Sequence, residues 1–191
     1  MQKLLQHSRC GWRSLTARCL MLLAALWPPV HAQSRDAAEY FFDQTLGDFS
    51  EELELAKEQG KQGILIMFEM DECPFCHRMK DTILNQVAVQ DYFRQHFLIF
   101  SVDIEGDIEV TDFEGKVTTE KAFAFRQNRV RATPVFAFFD LRGKRVARYT
   151  GATSSLEEFM QLGQYVVGKH YQRMSFTRYK LEQQRARLRD S

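Results

Sequence analysis

The chain has 191 residues, of which 45% are hydrophobic and 27% are charged, and this is the composition of an ordinary globular protein. Its length predicts one domain with appendages. The formal net charge is +1, but the first 32 residues hold four of the 26 basic side chains and none of the 25 acidic ones. The remainder is therefore mildly acidic, which gives no electrostatic reason to expect binding to nucleic acid.

Residues 1–32 are predicted to be a secretory signal peptide. A basic segment ends at Arg18, an apolar run covers residues 19–27, two prolines break that run, and small side chains lead to a cleavage site after Ala32. The apolar run is much shorter than the ~20 residues that a membrane-spanning helix needs. We therefore expect a periplasmic protein, with an uncleaved signal that acts as a membrane anchor as the alternative.

The chain after residue 32 alternates helical and extended patterns. Apolar residues that recur every three or four positions predict helices, and short continuous apolar runs are typical of strands that are buried on both faces. Up to residue 102 the predicted elements are a short helical or extended lead-in over 33–47, a helix capped by Asp48, a strand over 64–68, a helix that begins at Pro74, a helix over 87–95 and a strand over 97–102.

The second half of the chain begins with an acidic, irregular segment over residues 103–119. Asp-Phe-Glu-Gly at residues 112–115 predicts a tight turn there, which would close a small hairpin. The remaining predicted elements are a helix over 120–128, strands over 135–139 and up to Tyr149, and a helix from Ser155 to about residue 167. Strands that alternate with helices predict an α/β fold, with a central mixed sheet flanked by helices, an N-terminal helical extension and an insertion around residues 105–118.

Residues 169–191 carry seven basic and two acidic side chains and are predicted to form a basic helical tail. A solvated surface helix is the simpler interpretation of such a charge run, and a specific docking patch is the alternative. The predicted organisation is therefore a signal peptide over 1–32, one domain over 33–168 and the tail over 169–191.

The cysteines carry the chemistry that the sequence predicts. Cys10 and Cys19 lie in the predicted signal, so the mature chain keeps only Cys73 and Cys76, and a lone close pair in an oxidising compartment is better explained by catalysis than by structure. The attacking species in disulfide exchange is a thiolate, and the start of a helix stabilises that anion. We therefore predict that Cys73 is the accessible nucleophile and that Cys76, one turn further and less exposed, is the resolving thiol.

Two other interpretations of the motif stay open. Cys73-Pro74-Phe75-Cys76-His77 also matches the pattern that attaches a c-type haem, although a buried strand before the motif is not typical of a small helical cytochrome. A zinc site is the second alternative, but the mature chain has no second cluster of Cys and His to complete the ligands.

Pro134 is the second unusual feature, because it opens an apolar run that predicts a buried strand, and a proline cannot donate a hydrogen bond to a sheet. A cis Thr133–Pro134 bond would turn the Thr133 backbone outward, where it could pair with the backbone of a substrate beside the reacting sulfurs. An ordinary trans proline at the start of a strand is the alternative.

With these elements in order, the chain resembles the thioredoxin superfamily over about residues 48–167. Within it, the chain is most similar to periplasmic thioredoxins of the SoxW type, on the residues Met-Phe-Glu-Met-Asp-Glu-Cys-Pro-Phe-Cys at 67–76, the segment 102–107 and Ala-Thr-Pro-Val-Phe-Ala-Phe-Phe-Asp at 132–140. The resemblance implies the thioredoxin fold, a cis-proline at Pro134, and electrons supplied by a membrane thiol carrier of the CcdA/DsbD type.

The chain departs from the usual thioredoxin pattern in three respects. Pro74-Phe75 differs from the Gly-Pro dipeptide of general reductases, which leaves the direction of electron flow open. Glu72 replaces the tryptophan that precedes the first cysteine, and Met67 replaces a buried aspartate that accepts the proton of the second thiol. Glu69 is the nearest strand carboxylate and could take over that role by proximity or through water. A solvated strand end is the alternative for Glu69.

These observations predict a protein-disulfide reductase of the cell envelope that acts on disulfide-containing exported proteins. Its redox group would be the Cys73 and Cys76 dithiol, supported by Pro74, Phe75 and Thr133, with no further cofactor and no metal. A disulfide-forming oxidase is the alternative within enzymes. A module that holds unfolded chains in the groove around Pro134 is the alternative outside them.

Overall fold

The computed structural model describes residues 34–190. The predicted signal peptide and its cleavage site lie outside the described residues. The helices and strands are, in chain order, α1 (Ala37–Tyr40), α2 (Phe49–Glu58), β1 (Gly63–Glu69), α3 (Pro74–Met79), α4 (Val87–His96), β2 (Phe97–Asp103), β3 (Glu109–Thr111), β4 (Val117–Thr119), α5 (Glu120–Ala122), β5 (Val135–Asp140), β6 (Arg145–Thr150), α6 (Leu156–Val167) and α7 (Phe176–Asp190). Wider π-helical turns continue α3 over Lys80–Leu84 and α5 over Phe123–Gln127.

The central sheet is mixed and flanked by helices, as the sequence predicts. Its strands lie in the order β2-β1-β5-β6. Strands β1 and β2 are parallel because the helices α3 and α4 connect them, whereas β5 is antiparallel to both β1 and β6. The acidic insertion forms a separate antiparallel hairpin of β3 and β4, which confirms the predicted turn between them.

The side chains of β1 divide between two hydrophobic clusters, because successive residues of a strand point to opposite faces of a sheet. Leu65 and Met67 belong to the cluster that also holds both motif cysteines. The alternate residues of the strand belong to the other cluster, namely Ile64, Ile66 and Phe68. In the first cluster the rings of Phe93 and Phe159 stack at 4.5 Å. The continuous apolar run of β1 therefore reflects burial on both faces, as predicted.

Both predicted helix caps are present. The Asp48 carboxylate accepts hydrogen bonds from the backbone N–H groups of Ser50 and Glu51 at the start of α2. The Ser155 hydroxyl accepts one from the Glu158 N–H at the start of α6. These N–H groups have no partner within their own helices, so the caps fix where α2 and α6 begin.

The basic tail is only partly the solvated helix that the sequence predicts. The inner face of α7 packs on α6: Tyr179 is buried with its ring 5.6 Å from that of Tyr165, and the Tyr165 hydroxyl donates to the carbonyl of Met174 at 2.7 Å. The aromatic side chains of Phe176 and Tyr179, three residues apart on one helical face, explain the difference. Within residues 34–190, no helix has the length and apolar character needed to cross a bilayer.

Candidate active site

The Cys-Pro-Phe-Cys motif forms the start of α3, directly after β1. Cys73 is the N-cap residue and has an extended backbone (φ −117°, ψ 95°), and Pro74 lies in the first turn, where its missing N–H costs no hydrogen bond. The Cys73 sulfur accepts a hydrogen bond from the Cys76 N–H at 3.1 Å. The predicted arrangement of strand, short loop, motif and helix is therefore confirmed.

A disulfide joins Cys73 and Cys76, so the structure is that of the oxidised protein. The two Cα atoms are 5.2 Å apart, which lies within the ordinary range for bonded cysteines. Because the two residues are only one helical turn apart, the bond can form and break without a rearrangement of the sheet. The pair can therefore alternate between a disulfide and a dithiol.

The predicted accessibility of Cys73 is wrong for this oxidised form. Cys73 is 2% exposed and Cys76 is 1% exposed, and within the motif only Pro74 and Phe75 reach solvent. The prediction placed the Thr133 backbone beside the reacting sulfurs but did not include the Thr133 side chain. The Thr133 hydroxyl donates a hydrogen bond to the Cys73 sulfur at 3.2 Å from a loop 60 residues further along the chain.

Thr133 and Pro134 lie beside the disulfide at the start of β5. The peptide bond between them is cis, and Pro134 is buried. The Pro134 carbonyl accepts a hydrogen bond from the Gly151 N–H at 2.8 Å, which links this loop to the segment before α6. The structure thus brings together the cysteine motif and the Thr-Pro pair that the sequence selected separately.

Two arginines of β6 hold the loop that leads to Thr133, and the sequence analysis did not identify them. Arg145 donates to the carbonyl of Asn128 at 2.9 Å, and Arg148 donates to the carbonyls of Asn128 at 3.1 Å and Arg129 at 3.3 Å. Burial and the neighbouring charge of Arg145 lower the pKa of Arg148. Arginine on an edge strand is usually solvated, so no sequence pattern indicates this role.

Glu69, the last residue of β1, forms a partly buried ion pair. Its side chain is only 15% exposed, it lies 2.7 Å from the Lys80 ammonium, and it accepts a hydrogen bond from the Ser101 hydroxyl. It shares a face of β1 with Met67, and Lys80 follows Cys76 by four residues on the same side of the helix. Glu69 is therefore not a solvated strand end, and its ion pair lies one helical turn from Cys76.

The segment before α6 completes the surroundings of the motif. Arg78 donates to the carbonyl of Thr153 at 3.1 Å, and its guanidinium lies 5.9 Å from the centre of the exposed Phe75 ring. His77 forms a hydrogen bond from Nε2 to the carbonyl of Asp71 at 2.9 Å. Among the described residues, no group of three or more His, Cys, Asp or Glu side chains is placed to hold a metal ion.

Comparison with known proteins agrees with this fold. A thioredoxin-fold protein from Helicobacter pylori aligns with a TM-score of 0.52 and 22% identity, over 66% of this chain and 82% of its own. A thioredoxin from Thermus thermophilus aligns with a TM-score of 0.50 and 24% identity, over 63% of this chain and 84% of its own. A search of curated protein sequences gave no significant match. Because the family model of the thioredoxin-like domain matches residues 49–167, more than half of the chain, this protein belongs to that family.

Proposed function

We propose that this protein is an exported thiol–disulfide oxidoreductase that reduces disulfide bonds in other exported proteins. The observation that carries the proposal is the Cys73–Cys76 disulfide at the start of α3, hydrogen-bonded to Thr133, in a thioredoxin-like domain. Two cysteines that form and break one bond transfer two electrons without any other cofactor.

In the proposed cycle the reduced protein begins with Cys73 as a thiolate and Cys76 as a thiol. The Cys73 thiolate attacks one sulfur of the substrate disulfide, and the other substrate sulfur leaves as a thiolate. Cys76 then loses its proton and attacks the Cys73 sulfur, which releases the second substrate sulfur. The substrate gains two electrons, and the protein ends as the disulfide described here.

We propose Glu69 as the group that accepts the proton of Cys76, directly or through water. Its burial, its place on the cysteine-containing face of β1 and its ion pair with Lys80 one turn from Cys76 support this role. A Glu69→Gln variant should form the mixed disulfide at the normal rate but resolve it more slowly. Asp71→Asn, at an exposed position, is the matched control.

Access to Cys73 is the step on which this proposal depends, because the residue is buried in the oxidised form. We propose that reduction, which lets the two sulfurs separate, opens Cys73 towards the solvent beside Phe75. Iodoacetamide should then modify Cys73 rapidly in the reduced protein and leave Cys76 largely unmodified. Mass spectrometry of the alkylated protein measures the extent of modification at Cys73 and at Cys76.

Location, partners and direction of electron flow belong to the same proposal. The composition of residues 1–32 supports export to the periplasm, and the resemblance to SoxW-type thioredoxins suggests re-reduction by a membrane thiol carrier of the CcdA/DsbD type. We propose oxidised cysteines of exported proteins as clients, including those of apocytochromes or sulfur-carrier proteins. The equilibrium potential of the pair separates the two directions, since about −270 mV is typical of a reductant and about −120 mV of a strong oxidant.

A peptide-binding module is the second candidate function, and the burial of both cysteines favours it, because a shielded disulfide can be purely structural. Replacing Cys73 by serine distinguishes the candidates. Loss of insulin reduction with an intact fold supports the enzyme, whereas unchanged protection of an unfolded client by a variant without reductase activity supports the module.

Trapping is the experiment that tests the leading proposal. A Cys76→Ser variant should accumulate mixed disulfides with exported proteins through Cys73, because the resolving step is lost. The double variant Cys73→Ser/Cys76→Ser is the control for non-specific capture. If the single variant captures no more protein than the double variant, Cys73 is not a nucleophile towards protein disulfides and the proposal is wrong.

A further inference from the structure

Helix α7 lies beyond residues 49–167, the part of the chain that matches the thioredoxin-like domain. Two ion pairs join it to the start of α6, Lys180 to Glu158 and Arg187 to Glu157. Because later residues of α7 contact earlier residues of α6, the two helices are antiparallel. The C-terminal half of α7 therefore lies at the end of the domain where α6 begins.

That end of the domain also holds the disulfide. The segment before α6 contacts the active-site helix at two points, since Arg78 donates to the Thr153 carbonyl at 3.1 Å and the Thr153 hydroxyl contacts the Met79 sulfur at 3.7 Å. Ser154, the next residue, lines an open groove of about 600 Å³ between α6 and α7. The groove and the cysteine motif are therefore parts of one connected surface.

The groove has an apolar wall on the basic helix α7. Leu181 is 49% exposed within it, beside Gln184 and the side chain of Arg187. Both glutamates of the groove are paired with basic residues of α7. Residues 176–189 of α7 contain five basic residues and one acidic residue, so together with these two glutamates this helix and the groove carry a net charge of +2.

We infer that this groove binds an extended, acidic polypeptide segment with aliphatic side chains, next to the disulfide that a client presents to Cys73. The inference rests on the proposed function for the identity of the client. The positive charge of α7 complements an acidic segment, and Leu181 supplies an apolar contact. A polypeptide fits better than a lipid surface, because Leu181 lines a concavity that a planar bilayer does not enter.

The test compares three disulfide substrates. One peptide has aspartate and leucine beside its disulfide, a second has lysine in place of aspartate, and bis(2-hydroxyethyl) disulfide is too small to reach the groove. The measured quantity is kcat/KM for each peptide divided by kcat/KM for the small disulfide, which removes changes in the cysteine chemistry. Variants are Leu181→Glu, Gln184→Glu and Gln184→Lys, with Leu46→Glu at a fully exposed position outside the groove as the matched control.

For the acidic peptide we expect the ratio to fall about tenfold in Leu181→Glu, through loss of the apolar contact and charge repulsion. For the same peptide the ratio should fall in Gln184→Glu, rise in Gln184→Lys and stay at the wild-type value in Leu46→Glu. For the lysine peptide the two Gln184 changes should have the opposite effects. Equal responses of the two peptides, or an equal loss in Leu46→Glu, would overturn the inference.

Two further outcomes are decisive. If Leu181→Glu abolishes sedimentation with phosphatidylglycerol vesicles but leaves the peptide ratios unchanged, the groove faces lipid and the inference is wrong. If the wild type does not reduce the small disulfide at all, the proposed function fails first. In that case the anisotropy of fluorescently labelled acidic peptide with the same variants still shows whether the groove binds it.

Discussion

The carboxylate of Glu158 connects the groove to the stability of the whole domain. It accepts hydrogen bonds from the backbone N–H and the hydroxyl of Ser154, both at 2.8 Å, and it pairs with Lys180 of α7. Burial alone would raise its pKa, but the hydrogen bonds from Lys180 and Ser154 outweigh burial and lower the pKa from 4.5 to about 2. Glu158→Gln keeps the shape of the side chain and removes this charge.

The stability that Glu158→Gln should lose follows from the lowered pKa of Glu158. A difference between 4.5 and about 2, at ~1.36 kcal/mol per pKa unit, corresponds to about 3 kcal/mol of stability at neutral pH. Because the Lys180 side chain is 34% exposed, solvent screens part of the interaction, and we expect about 1–2 kcal/mol. The folded-state pKa is lowered, so this stability is complete above the unfolded pKa and is lost as the pH falls towards 2.

Urea unfolding followed by circular dichroism measures this difference. Circular dichroism is the suitable signal because residues 33–191 contain no tryptophan whose fluorescence could report unfolding. The wild type should exceed Glu158→Gln by about 1–2 kcal/mol at pH 7, and only roughly 10–20% of that difference should remain at pH 3. The comparison of two proteins cancels the other groups that titrate in the same range. A difference that is constant from pH 7 to pH 3 would refute the reasoning, since Glu158 would then carry no lowered pKa.

Three further substitutions test other parts of the structure. Gly63→Ala should lower the free energy of unfolding by at least about 2 kcal/mol in urea titrations, because a Cβ there would lie 1.9 Å from the Phe139 carbonyl oxygen. Thr133→Val keeps the volume but removes the donor to Cys73, so alkylation of the reduced protein below neutral pH should slow several-fold. Arg148→Met removes the side-chain donor to the Arg129 carbonyl and one of the two donors to the Asn128 carbonyl, and it should cost about 1 kcal/mol of stability while it increases hydrogen exchange in residues 128–132.

The local parts of the fold could be predicted from the sequence. The apolar run of β1, the caps Asp48 and Ser155 and the helix that begins at Pro74 depend on neighbours a few residues away, and their patterns are specific. The position of Cys73 at a helix start follows from the same local information. The predicted site therefore has the right residues in the right elements.

The surroundings of the site could not be predicted, because they depend on contacts between distant segments. The burial of Cys73 includes a contact to Thr133, which is 60 residues away, and the loop that carries Thr133 is held by two arginines of β6. The packing of α7 depends on aromatic side chains that a charge count overlooks. Glu69 was a candidate by position, but its partners Lys80 and Ser101 come from two other elements.

The reactivity of Cys73 depends on two opposing effects, and their balance is our last prediction. Burial disfavours a thiolate, whereas the start of α3, the Cys76 N–H and the Thr133 hydroxyl all favour it. Each hydrogen bond to a charged group contributes about 1.5–3 kcal/mol, and two such donors together with the helix start outweigh the loss of water around one sulfur at the edge of the core. We therefore expect reduced Cys73 to react with iodoacetamide at neutral pH faster than free cysteine does. A slower reaction would mean that burial dominates, and the structural interpretation of the disulfide would then be the better one.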